Sequence, residues 1–447
     1  HFKTIIDFPS ATYQQPLLGL AILYSKKNKK LDLNGNKTIK KSIQSGLLYW
    51  CSIQNKDGSH NEYYENDRSF CPTAFTAFSA ARTYQICKNI FNKNEKIIIE
   101  NSLLKSGLWL KNNTFSDVQN QMIASMNALY FISDVLVNSE LKLAFEKRKK
   151  EVLSSQNQEG WFPEYGGADI GYSFIALDLF AILFEASNDN EILEVVSNLL
   201  KFIIYFIHPD GTVGGFYGSR CTNHFMPYGI HFFSKHNLKE ALYVASWYKK
   251  HKKKSTINAD QIDDKYFSYF YFNSYAMSEV LNFSLNNTKK DFNYVFNIKK
   301  FDNSGLFRYE NNDLLAILSW KRKGVGHIYY KNNLIFSDTG YVFKLSNNIV
   351  GSTQSLDENA LIKFEEKNNT VLIKLKGRAG KIDLKLPLVR WIIPFKLFCK
   401  TILRFDFIAY RFNKMLKKNR VQKQYLLPIN MKREYLFSKD RILIKDK

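Results

Sequence analysis

Cysteine is scarce and unpaired in this chain. Among 447 residues there are five (Cys51, Cys71, Cys87, Cys221, Cys399), an odd count with no CxxC spacing. That excludes a disulfide framework and a cysteine-rich zinc site, and it fits a reducing compartment. Acid is scarce too: 41 Asp+Glu face 64 Lys+Arg, a formal charge of +23. No uninterrupted apolar run approaches the roughly 20 residues that span a bilayer, and the first residues do not read as a signal peptide, so none is expected in this stretch. Because the first residue is His1 rather than Met, a missing N-terminal piece is expected. The expected location is cytoplasmic or peripheral to the inner membrane, with the periplasm left open. No DDxxD or DxDD run supports a terpene cyclase, despite Gln-x-x-Asp-Gly loops. None of the small base-reading folds is visible, so no nucleic acid is expected as a partner.

What is present is core-forming material. Hydrophobic residues at 45% and aromatics at 15% exclude a disordered or collagen-like chain, and the length suits two or three domains. The charge is segregated. Residues 151 to 240 hold four basic residues (Lys201, Arg220, Lys235, Lys239) against eleven acids, 4 − 11 = −7. Residues 386 to 425 hold ten Lys/Arg and one acid, Asp406, a net of +9, and Lys249, Lys250, Lys252, Lys253 and Lys254 form a second basic knot.

Three stretches repeat: Gln54-Asn55-Lys56-Asp57-Gly58, Gln156-Asn157-Gln158-Glu159-Gly160 and His208-Pro209-Asp210-Gly211. Their glycines are 102 and 51 residues apart, the first gap twice the second, so the period matches one helical hairpin. Projecting it places further turns beside Gly107 and Asn112-Asn113, and within 258 to 264. Between the loops the apolar residues keep helical spacing, as in Ala74, Phe75, Phe78 and Ala81. Paired helices of this length predict an (α/α) toroid of five or six hairpins over 1–288, with an open helical solenoid as the alternative. From 289 to 385, short apolar runs such as Leu314–Ser319, 327–330 and 370–375 alternate with Asn, Gly and Asp turns and predict an antiparallel β-sandwich-like domain. Residues 426–447 read as strands of the same domain, with a C-terminal extension expected to be missing. The fold class is therefore α+β and multidomain.

Residues 386–425 read as one basic amphipathic helix. At 100° per residue, Lys396, Lys400, Arg404, Arg411, Lys414 and Lys418 form one stripe. Phe398, Ile402, Phe405, Ala409, Phe412 and Leu416 lie opposite. Two roles are open: an interfacial helix touching a membrane peripherally through 395–418, or a helix packed on the sheet domain with a solvated basic face.

The chemistry-bearing residues cluster in three runs. The first, Trp161-Phe162-Pro163-Glu164-Tyr165-Gly166-Gly167-Ala168-Asp169-Ile170-Gly171-Tyr172, sets carboxylates beside aromatics and glycines, as a sugar-binding cleft requires. The second, 214–228, brings Tyr217, Arg220, His224 and Tyr228 into one loop-to-helix transition. The third, 57–68, includes Glu62. Each residue also has a plainer role. His224 also reads as a satisfied half-buried histidine, Arg220 as a brace for Asp169 or Glu164, Trp161 and Phe162 as plugs of the toroid core, and Asp169 as a helix cap.

The toroid followed by antiparallel sheet, with the 160–172 and 214–225 runs, resembles the heparinase II/III-like branch of polysaccharide lyases, over residues 1–385 and the final strands. The resemblance implies a carbohydrate-active protein that cleaves a uronic-acid-containing glycan by β-elimination, with a polysaccharide or oligosaccharide as partner and neither cofactor nor metal. A neutralising Asn, Arg or His quiets the uronate carboxylate, a Tyr or His removes the C5 proton, and a Tyr protonates the leaving oxygen. It implies catalytic roles for Asn120, Tyr165, Tyr172, Arg220 and His224, and substrate contacts for Glu62, Trp161, Glu164, Asp169, Tyr217 and Tyr228. Gln121 stands where the resemblance expects a catalytic His. The paired carboxylates keep a glycoside hydrolase open. A C5 epimerase and a non-catalytic glycan-binding scaffold of surface-polysaccharide metabolism stay open beside it.

Overall fold

A computed structural model describes the chain except residues 1–8, 28–30, 116, 256–261, 263–266, 284–293, 295–296, 312, 346–348, 368–369, 383–388, 421–424 and 439–440, and the side chains of 252–255, 269, 414 and 417–420. The loop projected within 258–264 lies, but for Ile262, outside the described residues.

Helices alternate between an inner and an outer layer, and composition decides which goes where. The inner helices are α1 (Leu17–Ser25), α3 (Phe70–Cys87), α5 (Gln119–Leu136), α7 (Ile170–Ser187), α9 (Pro227–Lys235) and α11 (Phe272–Leu281). In α3, α5 and α7 nearly every position is buried, because neighbours flank them on both sides. The outer helices are α2 (Lys37–Ser52), α4 (Lys93–Asn112), α6 (Ser139–Ser154), α8 (Asn190–Ile203) and α10 (Lys239–Ser255). They bury one stripe only; in α8 it is Ile192, Val195, Val196, Leu199, Leu200 and Ile203. Asn36, Asn92, Asn138 and Asp189 cap the outer helices α2, α4, α6 and α8, the Asn92 cap closing a capping box with Glu95.

The inner helices form a closed ring rather than an open solenoid. Each of α1, α3, α5, α7, α9 and α11 packs on the next, and α11 packs back on α1. At that closure the Gly19 amide donates to Asn273 Oδ1 at 2.8 Å, and a Cβ at Gly19 would stand 2.7 Å from the Phe272 ring. The ring centre is filled by Leu18, Phe75, Phe78, Ile175 and Met226 around a cavity of about 30 Å³ beside Asp178 and Asn273, room for roughly one water. By length and composition α7 matches a membrane span, yet 78% of it is buried inside the protein as a core helix.

The repeat is visible in the backbone. Gly58, Gly160 and Gly211 have φ of 94°, 98° and 93°, and in each loop the residue three before the glycine takes the glycine's N–H on its carbonyl. Gln54 and Gln156 play the same part, each donating its amide to the loop glycine carbonyl and to a carbonyl of the next outer helix, Ser102 or Val195. Gly107 departs from the projection: it lies inside α4, where a Cβ would stand 2.7 Å from Leu141, and the turn begins after Asn112.

Two antiparallel sheets follow. The first orders β1 (Ile298–Phe301), β2 (Leu306–Glu310), β3 (Leu314–Ser319), β4 (Val325–Tyr330) and β5 (Asn333–Asp338) consecutively. The second contains β6 (Val342–Lys344), β7 (Val350–Ser352), β8 (Leu361–Lys367), β9 (Thr370–Ile382), β10 (Leu426–Phe437) and β11 (Ile442–Asp446), in the order β11-β10-β9-β7-β6 with β8 also on β9. Leu315, Ile317 and Tyr329 join the toroid core, whereas Leu314, Ala316, Leu318 and Ile328 meet Val371, Ile373, Leu375 and Tyr435 of the second sheet. The centre of the first sheet is thus covered on both faces, which makes β3 a continuous buried run, whereas the edge strands β1 and β5 are largely exposed.

The segment between β9 and β10 is not one helix. It is a hairpin of α12 (Ile392–Thr401) and α13 (Asp406–Arg420), separated by a 3-10 turn over Ile402–Arg404 and an extended Phe405. The expected face therefore breaks: Ile402 and Phe405 are exposed, and Leu403 is buried. The hairpin packs on the toroid loop before α3, through Cys399, Leu403, Ala409 and Phe412 against Tyr64. It does not simply lie on the sheets with a solvated basic face.

Candidate functional site

Loops 53–69, 155–169 and 207–226 enter α3, α7 and α9, so they gather at one rim of the ring, where the inner helices begin. Asp169 ties the second loop to the third. It caps α7 by accepting from Tyr172 N at 3.2 Å, accepts from Arg220 N at 2.8 Å, and takes the Thr222 hydroxyl. Both its oxygens are thereby used, and its buried place is that of a brace. Glu164 is also buried. It accepts the Asn120 amide N–H at 2.8 Å and the Asn120 side-chain amide at 2.6 Å, which pins the first turn of α5 to this loop. Burial pushes both carboxyls above their ordinary range, strongly so for Glu164.

Over these braces lies a more open set. The Arg220 guanidinium stands 4.2 Å above the Tyr165 ring and is exposed. Tyr165 is a non-glycine residue in the left-handed region (φ 54°), held there by its N–H to Asp117 O at 2.9 Å. Tyr172, in the first turn of α7, is in electrostatic range of Glu164, Tyr165 and Arg220, and packs edge-on to His224 with ring centroids 6.2 Å apart. His224 Nδ1 is 2.6 Å from the Tyr271 hydroxyl. Burial lowers the His224 pKa to about 4, leaving a neutral imidazole, and raises the Tyr165, Tyr172 and Tyr271 phenols, which keep their protons. Glu62 and Cys71 approach Tyr165 from the loop before α3 and from α3 itself. One contiguous rim cluster thus holds Asn120, Glu62, Glu164, Tyr165, Asp169, Tyr172, Arg220 and His224.

Three sequence candidates stand elsewhere. Trp161 is buried and donates its indole N–H to Glu159 at 2.9 Å; Glu159 in turn receives the amides of Asn303 and Ser304, so this loop joins the toroid to the sheets. Tyr217 is buried at the seam with the first sheet, 2.8 Å from His208 Nε2 and close to His327. Tyr228 is buried between α7 and α9, its hydroxyl near Glu185 toward the opposite end of α7. The structure adds residues that sequence reasoning missed. Tyr63 and Cys71 come from the first loop and helix, and Tyr271 from the start of α11. Arg322, in the β3–β4 turn, donates to Ser219 O at 3.0 Å beside Arg220. Only for Tyr63 was a signal available, its place beside Glu62 in a repeat loop. Among the described residues no group of three or more His, Cys, Asp or Glu is arranged to hold a metal ion.

No family model matches the chain, and no curated protein sequence matches it significantly. Solved structures do match. A Paenibacillus xanthan lyase superposes with a TM-score of 0.52 at 11% identity, covering 84% of this chain and 42% of the lyase. A Streptomyces coelicolor A3 chondroitin AC lyase in complex with chondroitin sulphate gives 0.54 at 8%, covering 83% of this chain and 63% of that one. A heparan sulfate lyase mutant from Pedobacter heparinus aligns over 99% of this chain and 69% of its own at 12% identity, with a TM-score of 0.43. The chain spans less than two thirds of the length of the first two. Its fold, a closed helical toroid followed by antiparallel sheets, is the fold of toroid-type polysaccharide lyases.

Proposed function

We propose that this protein is a carbohydrate-active enzyme of the polysaccharide-lyase kind, cleaving a uronic-acid-containing glycan by β-elimination. The observation that carries the reading is the exposed Arg220 guanidinium on the Tyr165 ring, beside Tyr172 and a neutral His224. Arg220 takes the sugar's C6 carboxylate, so that charge developing on C5 is drawn toward a neutralised group. His224 accepts the C5 proton. The C5–H electron pair becomes the C4–C5 π bond, the C4–O bond breaks, and Tyr172 donates its phenolic proton to the leaving oxygen. Asn120, held through Glu164, positions the loop that carries Tyr165.

An acidic substrate is compatible with the acidic sequence window. Glu164, Asp169 and Asp178 are buried and pushed toward their neutral forms, whereas Arg220 and Arg322 put positive charge at the rim. Hydrolysis is less favoured, because Asp169 is already saturated by donors and Glu164 is tied to Asn120. The test is incubation with a panel of uronic-acid polysaccharides, reading ultraviolet absorbance of a C4=C5 double bond against new reducing ends. Both signals rising together support elimination. Reducing ends alone make it a hydrolase, and neither signal favours a glycan-binding scaffold.

A further inference from the structure

The hairpin 389–420 is fixed to the toroid by its inner side. Arg68 donates to Leu403 O at 2.8 Å and to Asp406 at 2.5 Å, Asn66 to Cys399 O at 3.1 Å, and Tyr64 to Asn413 at 2.5 Å. These anchors lie on the loop that also carries Glu62 and Tyr63, so the hairpin borders the rim cluster. Its outer side carries a different composition. At 100° per residue, Ile393, Lys396, Leu397 and Lys400 of α12 fall within about 100° of one another, as do Phe407, Tyr410 and Arg411 of α13. All seven are exposed, Ile393 by 71% and Phe407 by 64%, with Trp391 and Phe405 exposed beside them. Arg411 lies over the Phe407 ring at 4.1 Å, joining the cationic and apolar parts of one face.

We propose that this hairpin docks the protein on an anionic lipid bilayer and thereby holds the toroid rim at the membrane surface. Segment 389–420 contains nine Lys/Arg and one acid, and that acid, Asp406, is already paired with Arg68. Exposed aromatic and aliphatic side chains among lysines and arginines suit the boundary between headgroups and acyl chains, where apolar parts are buried and cations meet lipid phosphates. An apolar patch bearing this much charge of one sign repels a second copy of itself. The inference is independent of any catalytic role of the rim, since binding is read without substrate.

The test is co-flotation of the full chain with vesicles of phosphatidylcholine alone and with added phosphatidylglycerol. The bound fraction is expected to be at least tenfold higher on the anionic vesicles and to fall with salt. Two exposed-residue variants, Lys396→Glu with Lys400→Glu, and Ile393→Ser with Phe407→Ser, are each expected to lower binding about tenfold or more while keeping the wild-type thermal unfolding curve. Absence of flotation, equal flotation of wild type and both variants, or a concentration-dependent dimer that both variants dissolve would overturn the proposal.

Discussion

Arg220 and His224 carry the proposed chemistry, and substitution of either should abolish most of it. Arg220→Ala removes the group proposed to neutralise the uronate and is expected to lower kcat/KM by about 10²- to 10³-fold, comparable to losing an oxyanion donor. The protein should keep its thermal unfolding temperature, because the side chain is exposed. His224→Gln removes the proposed base and should cost about 10²- to 10⁴-fold. The sign of the pH dependence follows from burial. The folded His224 protonates only near pH 4 rather than 6.5, so the base form persists as the medium is acidified. The acid limb of kcat/KM should then fall near pH 4, and a limb near 6.5 would remove His224 from the role. Sequence alone picks out most of the rim cluster, because Arg220, His224, Tyr165 and Tyr172 lie in glycine-rich runs where side chains approach closely. Tyr271 is illegible there, since it reaches His224 from a helix 47 positions away that only ring closure brings near.

At the scale of elements, the repeat glycines test why the loops recur. A Cβ at Gly160 would sit 2.2 Å from Asn198 O, besides straining a φ of 98°, whereas one at Gly166 (φ 85°) would meet nothing within 4 Å. Gly160→Ala is expected to destabilise by at least about 2 kcal/mol, and Gly166→Ala by about 1 kcal/mol, read from urea midpoints. Equal losses would show that dihedral strain alone sets the cost. Arg433 makes a parallel case in the second sheet. It is buried and bonded to Asp338 and to both oxygens of Asp446, tying β10 to β5 and β11. Arg433→Ala leaves two carboxylates without their cation and should cost about 3 kcal/mol in the same measurement. The toroid hairpins are legible because the 51-residue spacing is carried by loop glycines that share a positive φ. The hairpin 389–420 reads as one helix in sequence, because helical spacing continues across Ile402–Arg404 and nothing in the local pattern announces that Leu403 must turn inward onto the loop before α3.

Over the whole molecule, a charge of +23 that first reads as attraction to any polyanion resolves into distinct surfaces. The acids of the toroid window are partly spent as buried braces at the rim, and the cations concentrate on a hairpin beside that rim. The central strands of the first sheet, buried on both faces, join the toroid to the second sheet, and Arg322 of the β3–β4 turn reaches the same loop as Arg220. This arrangement is beyond the sequence, since strands that pack on two partners show an unbroken apolar run without naming either. Cleavage by elimination leaves a mass signature, which mass spectrometry of the shortest products reads. Elimination yields oligosaccharides whose non-reducing ends are one water lighter than the corresponding hydrolysis products, at a yield that Tyr172→Phe lowers. Products of full hydrolytic mass would contradict it.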